Sequence, residues 1–82
     1  MKDGLHNATK MVELWNRYRN DTKSIEDFTE KYSRFCEAMG YKPYQFKYDN
    51  GILWLDDSMF LALLSYLSAE FALLFYTNGQ NI

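Results

Sequence analysis

The sequence predicts a mainly α-helical domain with one β-hairpin, in the order α-α-β-β-α, forming a small single-domain helical bundle. Three observations predict this fold class. Apolar residues recur at three- and four-residue steps in three stretches, which is the period of an amphipathic helix. An Asn-Gly pair interrupts an alternating segment, which is the strongest short signal for a hairpin. The 82 residues suffice for one domain, and 48% of them are hydrophobic, which is too many for a disordered chain.

The first two predicted helices span residues 5–19 and 25–39. Ser24 is a candidate N-cap of the second helix, and Gly40 is suited to its left-handed C-terminal cap. The apolar face of the first helix comprises Leu5, Ala8, Met11, Val12, Trp15 and Tyr18. That of the second comprises Ile25, Phe28, Tyr32, Phe35 and Met39. Both faces are expected to lie against the core.

The predicted hairpin covers residues 44–55 and turns at Asn50-Gly51, where both residues need a positive φ. In that register Tyr48 lies opposite Leu53. A third helix is predicted over residues 58–76, since its apolar residues continue at helical spacing until the Asn-Gly pair at 78–79.

The third predicted helix has two apolar faces and a single charge, Glu70, which is expected at a solvated edge or beside a basic residue of the first two helices. Its bulky face is expected to fill the core. A narrow stripe of small residues lies opposite, formed by Ala62, Ser65, Ala69 and Ala72. Small side chains let another helix approach closely, so this stripe predicts a homodimer, with packing of the first helix in a monomer as the alternative. A membrane-associated helix is a further alternative, which Glu70 disfavours.

No catalytic set is visible, and the chain is predicted not to be an enzyme and to need no cofactor or metal. The single histidine, His6, and the single cysteine, Cys36, are too few ligands for a metal site. His6 is expected in solvent and Cys36 at the edge of the core. Asp56 and Asp57 are better explained as helix caps than as a carboxylate pair. One cysteine and an N-terminus without an apolar core suggest a cytoplasmic protein.

Charge distribution disfavours nucleic acid as a partner. The net charge is −2, and the second helix carries Glu26, Asp27, Glu30 and Glu37 against two cations, a face that repels phosphates. Because two helices followed by a hairpin resemble a winged helix-turn-helix, a small DNA-binding regulator of transcription is the first alternative function.

A surplus of aromatic residues favours a protein target instead. Fifteen aromatic side chains are more than so small a core can bury, and exposed Trp, Tyr and Arg anchor protein interfaces. The leading hypothesis is an inhibitor or adaptor that blocks a surface of a target protein, of the kind that phages and mobile elements encode. Coverage of the outer hairpin face by the third helix is the alternative to an exposed binding surface there. The predicted binding residues are Trp54, Ile52, Tyr41, Tyr44, Lys47 and Arg17.

Overall fold

The computed structural model describes residues 4–68 of the chain. Within them it contains three helices and a three-stranded antiparallel sheet with strand order β1-β3-β2. The elements are β1 His6–Asn7, α1 Ala8–Arg19, α2 Ile25–Met39, β2 Lys47–Asp49, β3 Ile52–Leu55 and α3 Asp57–Leu67. The predicted class, mainly helical with a hairpin, is confirmed, and the sheet has one strand more than the hairpin provides.

The added strand corrects the predicted start of the first helix. Helix α1 begins at Ala8, three residues later than predicted, because β1 pairs antiparallel with Leu55 and Trp54 of β3. The Oδ1 atom of Asn7 accepts a hydrogen bond from the N–H of Lys10 at 2.8 Å and so caps the helix. The pairing partners lie nearly fifty residues further along the chain, where local periodicity carries no information about them.

The predicted bounds of α2 are confirmed at both ends. Ser24 Oγ accepts the N–H of Asp27 at 3.0 Å, and Gly40 has a φ of 72° and caps the last carbonyls. The link between α1 and α2 is held by Asn16, whose side chain bonds both the carbonyl and the N–H of Lys23, at 2.8 and 3.0 Å. These two bonds hold the segment between the helices against the last turns of α1.

The hairpin turn and register are also confirmed. Asn50 and Gly51 have φ values of 53° and 77°, as a type I′ turn requires, and Tyr48 pairs with Leu53. The first strand of the hairpin is shorter than predicted, because residues 44–46 lie outside it. Aromatic rings in that segment pack against α2 instead of continuing the ladder.

The core lies between α1, β3 and α3, with one residue from α2. Its buried members are Ala8, Val12, Phe28, Leu53, Leu55, Met59, Leu63, Leu64 and Leu67. Two side-chain acceptors complete the backbone hydrogen bonds around it. Thr9 Oγ1 accepts the N–H of the fully buried Leu53 at 3.0 Å, and Asp56 Oδ1 accepts the N–H of Met59 at 2.9 Å as the cap of α3. The interpretation of Asp56 as a cap is therefore confirmed.

Helix α3 ends earlier than the sequence pattern predicts. The predicted helix continues to residue 76, whereas α3 ends at Leu67 and Ser68 has extended backbone angles of −164° and 123°. Apolar spacing alone does not mark a helix end, and serine competes with the helical backbone through its own hydroxyl. Residues 69–82, which include Ala69, Glu70 and Ala72, lie outside the part of the chain that the structure describes. Among residues 4–68, no helix is both long and apolar enough to cross a membrane.

Candidate functional site

Only the first half of the predicted apolar face of α2 reaches the core. Phe28 is 3% exposed and its ring contacts those of Phe46 and Tyr66, with centroids 6.0 and 5.7 Å away. Two turns later, Phe35 is 50% exposed and Met39 is 53% exposed. The expectation that both residues are buried is therefore wrong, and the cause is that the second half of α2 extends past the residues that cover the first.

The exposed half of α2 joins the segment after it in one apolar surface. Phe35 and Met39 are four residues apart and lie on one side of the helix. The ring of Tyr41, 55% exposed, meets that of Phe35 at 6.0 Å in an edge-on arrangement. The rings of Tyr32 and Tyr44, both half-buried, meet at 6.1 Å and 83°. We call the surface formed by Tyr32, Phe35, Met39, Tyr41 and Tyr44 the aromatic ridge.

Local backbone geometry holds this ridge in place. The left-handed Gly40 turns the chain back, so that the N–H of Tyr41 bonds the carbonyl of Cys36 at 2.8 Å. Tyr44 packs edge-on against Phe46 at 4.9 Å, and Phe46 in turn contacts the buried Phe28. The ridge is thus an outward continuation of the core aromatic cluster, and contacts within the domain hold its rings in place.

Charges around the ridge are mostly paired. On α2, Lys31 lies 3.2 Å from Asp27 and Arg34 lies 2.5 Å from Glu30. Glu37 is exposed and makes no ion pair with any residue between 4 and 68. The outer surface of α2 is therefore slightly acidic, as its composition predicts.

Tyr32 and Tyr44 of the ridge stay neutral at physiological pH, because the pKa of each hydroxyl is raised. Burial is the largest cause that raises the pKa of Tyr32, with a smaller contribution from Cys36. Burial also raises the pKa of Tyr44, and the nearby Asp56 adds to the effect. Both hydroxyls therefore act as neutral hydrogen-bond donors and acceptors.

The structure places only two of the predicted binding residues on this ridge, Tyr41 and Tyr44. Ile52 and Lys47 lie on the hairpin, where Lys47 pairs with Trp54. Arg17 lies on α1, exposed, and pairs with Glu13 at 3.2 Å. The six predicted residues therefore do not form one surface.

Trp54 is half-buried instead of projecting freely from the hairpin. It lines a groove of about 350 Å³ between β1, α1 and α3. The other lining residues are His6, Asn7, Lys10, Met11, Leu14 and Phe60. Phe60 of α3 therefore lies beside Trp54 on the outer face of the hairpin. At this position the structure agrees with the alternative prediction, in which the third helix covers that face.

His6 and Cys36, the single histidine and the single cysteine of the chain, have different surroundings in the fold. His6 is half-buried, and its Nε2 atom lies 2.6 Å from Asp57 Oδ1 while its ring stacks on Phe60 at 4.3 Å. The expectation of a fully solvated histidine is therefore wrong, because β1 pairs into the sheet. Cys36 is one of the buried residues of α2. In the described part of the chain, no three His, Cys, Asp or Glu side chains are grouped to hold a metal ion.

Two of the four residues of the predicted self-association stripe lie in the part of the chain that the structure describes. Ala62 is half-buried and packs against the core, and Ser65 is exposed but donates its hydroxyl to the carbonyl of Leu61 at 3.0 Å. The other two members of the stripe lie beyond Ser68. A homodimer through this stripe stays a prediction.

Phe35 and Met39 were not recognised as exposed from the sequence. The available signal was the aromatic surplus, since fifteen rings exceed what a small core can bury, but that count does not say which rings stay outside. No protein-family model, curated protein or solved structure matches the chain.

Proposed function

We propose that this protein is a non-enzymatic protein-binding module, an inhibitor or adaptor that covers a surface of its target with the aromatic ridge. The observation that carries the proposal is the ridge itself, in which three side chains are at least half exposed and adjoin two half-buried tyrosines. Contiguous exposed apolar surface on a small domain is typical of an interaction site. Tyrosine and other aromatic residues are enriched among the residues that dominate binding energy.

The size of the ridge supports this proposal. From the exposed fractions of its members, it presents roughly 400 Å² of apolar surface, given about 150–250 Å² per aromatic side chain. A standard interface buries about 800 Å² per partner, of which roughly 57% is apolar. The ridge therefore matches the apolar part of one standard interface.

Its shape indicates the kind of target surface. Tyr32, Phe35 and Met39 lie at positions i, i+3 and i+7 of a helix, which is the spacing of anchors that dock into an apolar groove. The ridge is convex because it is built on the outside of a helix. A target would therefore supply the concave side, with polar groups for the tyrosine hydroxyls.

Affinity capture with matched variants tests the proposal. The full chain, Phe35→Ser and Tyr18→Ser are immobilised and exposed to lysate of the source cells, and bound proteins are identified by mass spectrometry. Tyr18 is a suitable control because it is 82% exposed on α1, away from the ridge. We expect one protein retained by the wild type and Tyr18→Ser and lost with Phe35→Ser. Equal retention by both variants would exclude the ridge, and the absence of any specific protein would count against a protein-binding function.

A DNA-binding regulator is the second candidate, favoured by one observation. Strand β1 is followed by α1 and α2 and pairs with β3 of the hairpin, so two helices and a hairpin form one unit, and this order of elements resembles a winged helix-turn-helix. Topology alone does not assign function, and the acidic outer surface of α2 opposes phosphate contact. Gel shifts with duplex and single-stranded DNA at low salt should show only weak, salt-sensitive retardation; tight, sequence-selective retardation would favour the regulator.

A further inference from the structure

We draw no further inference here: the strongest candidate, the groove of about 350 Å³ between β1, α1 and α3 that Trp54 and Phe60 line, carries none, because nothing in residues 4–68 shows what ligand or segment would fill it.

Discussion

Two phenylalanines on α2 allow a direct test of the division between core and surface. Phe28 and Phe35 are seven residues apart on one helix, but they are 3% and 50% exposed, respectively. Replacing a buried phenylalanine with alanine costs about 3–5 kcal/mol, because transfer energy is lost and a cavity remains. We therefore expect Phe28→Ala to remove a large part of the roughly 4–12 kcal/mol typical of a domain this size.

The expected cost of Phe35→Ala follows from its burial. About half of its ring surface, roughly 100 Å², is covered, and at about 25 cal/mol per Å² this corresponds to at most ~2.5 kcal/mol. The true loss is smaller because the unfolded chain already covers part of that surface. Alanine also returns about 0.5 kcal/mol through its higher helix propensity. A net destabilisation of roughly 1–1.5 kcal/mol is expected.

Urea unfolding followed by far-UV circular dichroism measures both costs, provided that the slope with denaturant stays the same among the variants. Tyr18→Ala is the control for a fully surface-exposed ring and should change the free energy of unfolding little. The reasoning is refuted if Phe35→Ala costs as much as Phe28→Ala. That result would mean that Phe35 is a core residue, and the aromatic ridge would then not be available to a partner.

Three further predictions concern single contacts. Thr9→Val removes the acceptor for the buried N–H of Leu53 and should cost about 1–3 kcal/mol in urea unfolding, whereas Thr9→Ser should retain most of the stability. Gly51→Val forces a β-branched residue to a φ of 77° and should lower stability by about 1–2 kcal/mol, although its side chain meets open space; an unchanged melting temperature would contradict the turn geometry. Tyr66→Phe removes the hydroxyl that donates to Asp27 at 2.7 Å, the largest cause of the lowered pKa of that carboxyl. The pKa of Asp27 should therefore rise toward 3.8, as measured by NMR titration. Because a lowered pKa stabilises the fold only while the carboxylate is charged, the stability gap between wild type and Tyr66→Phe should be largest near neutral pH. It should shrink as the pH falls through the folded-state pKa of Asp27, and a gap that does not vary with pH would contradict this interpretation.

The sequence predicted those elements that are determined by interactions between residues close together in the chain. Ser24 caps α2 and Gly40 ends it through atoms within a few residues. The turn at Asn50-Gly51 depends only on the two residues that adopt positive φ. Each of these features was therefore predictable, and the register of the hairpin followed from the turn.

Features that depend on distant partners were not predictable in the same way. Strand β1 exists because β3 pairs with it, and the hydroxyl of Thr9 matters only because the N–H of Leu53 meets it. The bond from Tyr66 to Asp27 joins α3 to the first turn of α2 across 39 positions. Local patterns in a sequence do not reveal which distant residues become neighbours, so these contacts could not be predicted from periodicity or capping signals.

The ridge follows from a mismatch of lengths that periodicity does not reveal. Helix α2 has 15 residues and extends about 22 Å at 1.5 Å per residue. Helix α1, which packs against α2, has 12 residues and extends about 18 Å. Spacing of apolar residues identifies which side of a helix is apolar, but the length of the packed neighbours determines how much of that side is covered.

The segment after α2 is the part of the fold nearest to the uncovered half, and it shields that half unevenly. Tyr44 and Phe46 cover Tyr32. Within residues 4–68, the ring neighbours of Phe35 are Tyr32 and Tyr41, and Phe35 stays half exposed. Replacing Phe35 should therefore cost this domain much less than the about 3–5 kcal/mol expected for the buried Phe28, so folding depends less on an aromatic ring at position 35. We therefore propose that the first half of α2 builds the core while its half-exposed second half is available to a partner, and the capture experiment with Phe35→Ser tests this.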